Sequence, residues 1–231
     1  MVHLQIETYF LHSPDSDTPI EETVDVMQDI YAAGKYRHFG LSNFSPEDVR
    51  KVYDYAKSKG FVLPTVYQGN YNPVARHYDT TLFPLLRELK IAFYAYSPLA
   101  GGFLVKSPEM FRSGGGADRG DPNGRLGKLY NGMYNRPSML EALSEWESIA
   151  TDAGCSTSAL AYRWVMYNSP LKEKYGDGII LGASRPRQLV ETLQSIRAGP
   201  LESSIAKRVD KVWDLVKEEA PTDNYLGNLG Q

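Results

Sequence analysis

Short apolar runs alternate with longer amphipathic runs along most of this chain, and that alternation most restricts how it can fold. The short runs are rich in β-branched and aromatic residues, as buried strands are, while the longer runs repeat their apolar residues at helical spacing. Strands and helices in alternation predict a parallel sheet covered by helices, because parallel neighbours are joined by crossover connections. The expected strands cover residues 6–12, 36–43, 64–70, 91–99 and 178–184.

The expected helices follow the strands and begin or end at recognisable signals. Ser45 is predicted to cap the second helix, with Pro46 in its first turn and Gly60 at its end. The amphipathic runs predict helices at residues 20–33, 46–59, 80–90, 138–153, 157–167, 184–198 and 203–220.

Residues 100–137 interrupt this rhythm. They carry no clear periodicity, and glycines concentrate in the stretch SGGGADRGDPNGR. A stretch of this length within a compact domain is usually either a linker or a functional loop, and the residues leave both readings open. We interpret the chain as a single domain over residues 1–231, with a long glycine-rich loop at residues 101–137 that covers a site.

Composition narrows the class of protein. The 231 residues are 42% hydrophobic and 23% charged, which is enough to bury the core of one domain or of two small ones. The net charge of -3 gives no reason to expect binding to nucleic acid or to an anionic membrane. The single cysteine, Cys155, excludes an internal disulfide and is typical of a reducing compartment. The first residues lack the pattern of a secretory signal and no apolar run is long enough to span a bilayer, so a cytoplasmic location is expected.

Polar residues gather at the ends of the expected strands. Any one of them has a purely structural reading, because serine and asparagine cap helices and glutamine can satisfy backbone groups. In a βα barrel, however, the carboxyl ends of the strands carry the active site, so polar residues at all five ends predict a functional site. These residues are His12, Ser42 with Asn43, Gln68, Tyr96 with Ser97, and Gly182 to Ser184.

Five phrases of the sequence resemble a known family. They are FLHSPD, GKYRHFGLSNF, PTVYQGNYNP, FYAYSPLAGGFL and IILGASRPRQLVE. In this order and at these distances they resemble the aldo-keto reductases, in particular the aflatoxin-aldehyde reductase branch. The resemblance implies a TIM-type (β/α)8 barrel, here incomplete with about five strands. It also implies NADPH as cofactor and a small carbonyl substrate, an aldehyde or ketone reduced to an alcohol by hydride transfer; no metal ligand is expected.

The resemblance assigns the nicotinamide end of the cofactor to the first four strand ends. Ser42, Asn43 and Gln68 would hydrogen-bond the carboxamide, and Tyr96 would stack on the nicotinamide ring. Small residues that allow close approach of the backbone would lie along the pyrophosphate: Ser97, Leu99 and Gly101.

The adenine end is assigned to the last strand end and the helix after it. Ser184 would begin that helix, whose N-terminus favours an anion, and Arg185 and Arg187 would add positive charge for the 2′-phosphate of NADPH. Gln188 and Glu191 complete the expected contacts. The family pattern is not met at three places: Thr192 replaces a frequent asparagine, Gly182 a frequent lysine, and FLVK a common LTGK phrase.

His12 matches the histidine of the family's catalytic tetrad. In the family the aspartate, tyrosine and lysine of that tetrad precede this strand, so about three βα units and these residues are expected to lie outside this chain. Two explanations stay open, a fragment or a natural truncation. A natural truncation would fold by rearranging, by forming a homodimer or with a complementing chain. Redox activity of the chain alone is expected to be low.

Two other function classes stay open as alternatives. A truncated relative could carry out non-redox acid–base chemistry such as dehydration, cyclisation or isomerisation, using His12, Asp15, Tyr71 or Tyr96. It could instead sense the cofactor or bind a partner, as the potassium-channel β subunits that resemble these reductases do.

Overall fold

The structure, a computed structural model, describes residues 5–112 and 125–222. Within them five strands form one sheet in which the order of the strands is their order in the chain. The strands are β1 (Ile6–Leu11), β2 (Tyr36–Ser42), β3 (Pro64–Asn70), β4 (Ala92–Tyr96) and β5 (Gly178–Ile179). β1 pairs with β2, and β2 with β3, in parallel. The predicted α/β class with parallel strands is confirmed.

Ten α-helices lie within the described residues. They are α1 (Ile20–Ala32), α2 (Pro46–Lys59), α3 (Tyr78–Thr81), α4 (Phe83–Leu89), α5 (Pro108–Arg112), α6 (Arg125–Tyr134), α7 (Pro137–Asp152), α8 (Thr157–Arg163), α9 (Pro186–Arg197) and α10 (Ser203–Val216). Two 3-10 helices, Ala100–Val105 and Glu173–Tyr175, and one π-helix, Trp164–Asn168, are also present. In the part of the chain that the structure describes, no helix has the length and apolarity to cross a membrane.

The chain divides into two compact units, each made of several sequence segments. Unit 1 comprises Met1–Gly69, Asp79–Tyr94 and Lys174–Asp177, and unit 2 comprises Asn70–Tyr78, Ala95–Glu173 and Gly178–Gln231. The sequence had been interpreted as one domain over residues 1–231.

Local signals in the sequence explain the second helix. The Ser45 hydroxyl accepts a hydrogen bond from the backbone N–H of Asp48 at 3.1 Å, and Pro46 occupies the first turn. Gly60 ends α2 in the left-handed conformation, with φ of 69°. Both ends of α2 were therefore predicted correctly, because each is set by residues next to it in the chain.

Other predicted elements are shorter or broken. The last strand was expected at residues 178–184 but covers only Gly178–Ile179. The helix expected at residues 80–90 is divided at Leu82, and Pro84 lies in the first turn of α4. Proline lacks the N–H that a helix interior uses, so a new helix begins there instead of one helix continuing.

The glycine-rich segment was predicted to be a loop, and this is wrong for much of its length. A 3-10 helix at Ala100–Val105 is followed by α5, and α6 precedes α7. The stretch at residues 113–124, which holds most of SGGGADRGDPNGR, lies outside the described residues. Its expected position over a site stays a prediction.

The core of unit 1 is built from aromatic rings. Phe93 stacks on Tyr67 with ring centroids 5.9 Å apart and meets Phe83 edge-on at 4.8 Å. A Cβ atom on Gly40 would lie 2.4 Å from the Phe10 ring, so only glycine lets β1 and β2 pack this closely.

The core of unit 2 contains two buried tryptophans. The indole N–H of Trp146 donates to the carbonyl of Leu104 at 3.0 Å. Trp164 stacks on Tyr71 with centroids 6.0 Å apart. The Arg76 guanidinium lies over the Trp164 ring at 4.8 Å and pairs with Asp210 at 2.8 Å, which ties the segment after β3 to α10.

Candidate functional site

The ends of the first three strands lie level with one another in unit 1. Leu11 of β1 is opposite Leu41 of β2, and Ser42 is opposite Gln68 of β3. His12 follows Leu11 directly, as Ser42 follows Leu41. Neighbouring strands are about 4.8 Å apart. The structure therefore brings His12, Ser42 and Gln68 to one edge, as the sequence predicted.

Asn43 connects these strand ends through its side chain. Its Nδ2 donates to the carbonyl oxygen of His12 at 2.8 Å and to the hydroxyl of Ser42 at 3.2 Å. Ser42 and Asn43 are buried. Asn43 also adopts φ of 60°, a left-handed conformation that asparagine tolerates better than most residues. Asn43 thus fixes the position of the His12 backbone at the end of β1.

Gln68 contributes a side-chain amide to this edge that is available to bind a ligand. Its side chain is half-buried and makes no hydrogen bond to the residues that the structure describes. A glutamine amide offers two N–H donors and a carbonyl acceptor. Gln68 can therefore form two hydrogen bonds with another amide, donating one through its NH₂ group and accepting one at its carbonyl oxygen.

In unit 2, the turn after β4 has an unusual backbone. Ser97, Ala100, Gly101 and Gly102 all have positive φ, at 52°, 52°, 67° and 99°. Serine and alanine rarely adopt this conformation, which costs about 1–3 kcal/mol at each residue and tends to occur at functional sites. The strained turn coincides with the predicted pyrophosphate segment.

Asn72 holds this turn in place, and the sequence analysis missed it. Its Nδ2 donates to the carbonyl of Ser97 at 3.1 Å, and its Oδ1 accepts from the N–H of Val74 at 3.1 Å. The N–H of Tyr71 donates to the carbonyl of Tyr96 at 3.2 Å. The Asn72-Pro73 dipeptide, which is typical of turns, was the available signal.

Gly101 faces an aromatic ring. A Cβ atom on Gly101 would lie 2.0 Å from the Tyr130 ring, so glycine is required by packing within the protein. Its predicted contact with a pyrophosphate stays a prediction. Tyr130 and Tyr134, four residues apart on α6, were missed because their segment was taken as a loop, although this spacing places two side chains on one helix face.

Tyr134 lies at the centre of an aromatic stack in unit 2. Its ring stacks on Phe103 at 4.8 Å and on Tyr130 at 6.2 Å. Burial raises the pKa of the Tyr134 phenol far above its usual value, and Tyr130 and Tyr96 raise it further. The phenol is therefore neutral at any physiological pH, and its hydroxyl has no hydrogen-bond partner among the described residues.

The residues predicted for the adenine end lie at the start of α9. The helix begins at Pro186 with Arg185 as its cap, two residues later than predicted. The N–H and hydroxyl of Ser184 both donate to Oε1 of Gln188, at 3.0 and 2.9 Å. Arg187 pairs with Glu191 at 2.7 Å. Arg185 makes no ion pair with the described residues, which leaves its charge available.

The sequence matches a known family over nearly its whole length. The model of the aldo/keto reductase family matches residues 3–214. The chain belongs to this family. The oxidoreductase sirO of Leptosphaeria maculans is 42% identical over 94% of this chain and 65% of its own length. Human aflatoxin B1 aldehyde reductase member 2 is 36% identical over 96% of the chain and 63% of its own length. Human aldo-keto reductase family 7 member A3 is 34% identical, with 96% and 68% covered.

The chain therefore spans less than two thirds of the length of the first two relatives. The resemblance to the aldo-keto reductases is confirmed, and the family is one of oxidoreductases. The five parallel strands with their helices are consistent with an incomplete (β/α)8 barrel.

The predicted site residues of this member of the aldo/keto reductase family fall in three places. The first group, joined by direct contacts and strand register, lies in unit 1: His12, Ser42, Asn43 and Gln68. The second, Tyr96, Ser97, Leu99 and Gly101, forms the turn after β4 in unit 2. The third, Ser184, Arg185, Gln188 and Glu191, lies in the first turns of α9.

Proposed function

We propose that this chain carries the nucleotide-binding residues and the carbonyl-orienting histidine of an NADPH-dependent reductase of aldehydes and ketones. Family membership supports the oxidoreductase chemistry. The observation that carries the proposal is the set of amide and hydroxyl groups at the ends of β2 and β3, centred on the uncommitted amide of Gln68. The name of the human relative, an aldehyde reductase, supports a carbonyl substrate.

The donor set at the strand ends fits a nicotinamide carboxamide. That group presents an N–H₂ and a carbonyl oxygen, and Gln68 offers an acceptor and two donors to match them. The hydroxyl of Ser42 can add a donor or an acceptor, while Asn43 acts mainly by fixing the local backbone through its bond to His12. When bound, the nicotinamide supplies a hydride to the carbonyl carbon.

We assign to His12 the role of binding and orienting the carbonyl group of the substrate. It follows β1 directly, and Asn43 holds its backbone carbonyl at 2.8 Å, so the imidazole projects from a fixed point. An imidazole N–H at this place can donate to a carbonyl oxygen and orient it.

The preference for NADPH over NADH is assigned to the start of α9. A helix of twelve residues has a positive N-terminal end, which favours an anion. Arg185 adds a full charge there and has no competing carboxylate among the described residues, whereas Arg187 is engaged by Glu191. This positive charge would attract the negatively charged 2′-phosphate of NADPH.

Nucleotide binding tests the proposal directly. Titration calorimetry of the 231-residue chain with NADPH and NADH is expected to show binding of both, with NADPH tighter. Gln68→Ala is expected to weaken both nucleotides equally, because the nicotinamide is common to them. A folded chain that binds neither nucleotide would refute the proposal, and so would a Gln68→Ala variant that binds both as wild type does.

The carbonyl part of the proposal needs a second assay. The oxidation of NADPH is followed with an aromatic aldehyde and with a dicarbonyl, using the chain alone and the chain mixed with the part of sirO outside the match. His12→Ala is expected to lower whatever turnover is found in either arm. Equal turnover by the wild type and His12→Ala would contradict the role assigned to His12.

A further inference from the structure

A cavity of about 460 Å³ lies between two long helices of unit 2, α7 and α10. Its volume is within the range of pockets that bind small molecules. None of the residues that line it belongs to the three groups of predicted site residues. Two of them come from α10, Lys211 and Leu215, and three come from α7: Glu141, Ser144 and Glu145.

Polar contacts hold the two helices in a fixed relative position. Guanidinium nitrogens of Arg208 on α10 lie 2.8 Å from a carboxylate oxygen of Glu145 and 2.5 Å from one of Asp152, both on α7. The hydroxyl of Ser138, at the start of α7, donates to the carboxylate of Glu219, just beyond α10. The helices are therefore antiparallel, and the walls of the cavity between them are held at both ends.

Two opposite charges of the cavity lining have no partner within the described part of the chain. The carboxylate of Glu145 is balanced by Arg208. The side chains of Glu141 and Lys211 are exposed and make no hydrogen bond or ion pair with any described residue. They also do not pair with each other, so their charged atoms are more than about 4 Å apart. A ligand that carries charges of both signs can therefore contact both side chains at once.

The rest of the lining adds an acceptor and an apolar surface. The hydroxyl of Ser144 donates to the carbonyl of Leu140 at 3.1 Å, which leaves its oxygen able to accept a hydrogen bond. Ser144 is three residues after Glu141, so both side chains lie on one face of α7. Leu215 lies one turn beyond Lys211 on α10 and is 43% exposed. The lining thus combines a carboxylate, a hydroxyl, an ammonium and an apolar contact.

We propose that this cavity binds a small zwitterion in which an ammonium and a carboxylate are joined by a short methylene chain. The carboxylate of Glu141 and the oxygen of Ser144 accept hydrogen bonds from the ligand's ammonium, and Lys211 donates to its carboxylate. The methylene chain covers Leu215 and removes apolar surface from water. This site involves neither a nucleotide nor a carbonyl substrate, so it stands apart from the proposed reductase function.

A ligand with a single charge fits the cavity less well. A simple anion is attracted by Lys211 but repelled by the carboxylates of Glu141 and Glu145. A simple cation is attracted by Glu141 but repelled by Lys211. An exposed ion pair contributes little by itself, so contacts at both ends are needed for measurable binding.

The test uses ε-aminocaproate as the probe, with caproate and hexylamine as matched ligands that each keep one charge. An NMR titration of the 231-residue chain follows the backbone amides of residues 141–145 and 211–215. The zwitterion is expected to shift these amides saturably and to bind more tightly than either matched ligand. Glu141→Gln and Lys211→Gln should each weaken its binding about two- to fivefold, the range of one exposed ion pair. The control is Lys207→Gln, which is exposed on α10 outside the cavity lining and should bind as wild type.

Hexylamine distinguishes the two ends of the site. Its binding should be weakened by Glu141→Gln but not by Lys211→Gln, because it carries no carboxylate for the lysine. Circular dichroism first confirms that all variants are folded. The proposal is overturned if the zwitterion causes no saturable shift in α7 and α10, or if caproate or hexylamine binds as tightly as the zwitterion. Equal binding of the zwitterion by Lys211→Gln and Lys207→Gln also overturns it.

Discussion

Arg87 and Asp177 form a two-pronged ion pair, with guanidinium nitrogens 2.9 and 2.6 Å from the two carboxylate oxygens. The Asp177 side chain is 1% exposed and that of Arg87 is 18% exposed. The same carboxylate accepts the N–H of Phe93 at 2.8 Å, and the guanidinium lies over the Tyr175 ring at 4.3 Å. The pair thereby holds the segment before β5 to the start of β4.

Replacing Asp177 with asparagine is expected to destabilise the protein by about 3 kcal/mol, because it leaves the Arg87 charge buried without its counter-charge. Urea unfolding measures the change. The matched control is Glu88→Gln, which breaks the exposed pair of Arg50 and Glu88 at 2.6 Å and is expected to leave the free energy of unfolding nearly unchanged. Similar losses in both variants would show that burial does not set the strength of the pair.

Two substitutions of Asn43 separate its hydrogen bonds from its backbone conformation. Asn43→Gly removes the bond to the His12 carbonyl and is expected to cost about 1 kcal/mol. Asn43→Ala removes the same bond and keeps a Cβ at φ of 60°, which adds about 1 kcal/mol. In thermal unfolding the wild type should therefore be the most stable, Asn43→Gly less stable and Asn43→Ala the least stable. Equal stability of the two variants would mean that the left-handed backbone carries no strain.

Gly101→Ala is expected to be among the most damaging single substitutions. The new methyl group would overlap the Tyr130 ring at 2.0 Å as well as strain a backbone with φ of 67°. Gly102→Ala is the control, because nothing lies within 4 Å of its Cβ position and only the backbone strain is added. Chemical denaturation should show the larger loss for Gly101→Ala, and Tyr130→Leu in the same chain should restore part of it. No rescue would place the cause in the backbone alone.

Cofactor preference is expected to depend on Arg185 more than on Arg187. A charge-assisted contact with phosphate is worth about 1.5–3 kcal/mol, so Arg185→Ala should reduce the NADPH preference on the order of ten- to a hundredfold. Arg187→Ala should have a smaller effect because Glu191 already neutralises that charge, and the double variant should lose most of the preference. Arg197→Ala, at the other end of α9, is the control. Calorimetry with both nucleotides gives the ratio, and an unchanged ratio in the double variant would contradict the assignment.

The buried Tyr36 phenol makes stability depend on alkaline pH. Burial, with a smaller contribution from Tyr31, raises the pKa of Tyr36 to about 12, and its hydroxyl donates to the carbonyl of Met27 at 2.9 Å. The unfolded chain releases this proton near pH 10, so the stabilisation is complete below pH 10 and is lost as pH rises through 12. Between pH 9 and 11 the loss is about 1 kcal/mol.

Tyr36→Phe isolates this contribution. The difference in the free energy of unfolding between wild type and Tyr36→Phe should shrink by about 1 kcal/mol from pH 9 to pH 11, because the variant has no phenol to titrate. Urea unfolding at pH 9, 10 and 11 measures it. A difference that stays constant would show that Tyr36 titrates alike in the folded and unfolded chains.

The features that could be predicted from the sequence are those fixed by residues close together in the chain. The ends of β1, β2 and β3 follow from apolar runs that stop at polar residues, and α2 follows from Ser45 and Gly60. The strand-end group of His12, Ser42 and Gln68 was predictable because parallel strands in register place equivalent residues side by side.

The features that could not be predicted depend on distant neighbours. The length of β5 depends on what pairs with it, since Ile180 bonds Ala95 but residues 181–184 continue without strand structure. The contact of Gly101 with Tyr130 depends on how α6 packs, and periodicity does not show packing. The start of α9 was predicted two residues too early, at Ser184, because Ser184 hydrogen-bonds to Gln188 from outside the helix.

The contact of Arg76 with Asp210 sets a minimum time for completing unit 2 during synthesis. The two residues are 134 positions apart. At about 5–20 residues per second, a ribosome needs roughly 7 to 27 seconds to add the second after the first. Throughout that interval the arginine that lies beside Trp164 in the folded protein lacks its ion pair with Asp210. The segment after β3 therefore gains this ion pair only once α10 has been synthesised.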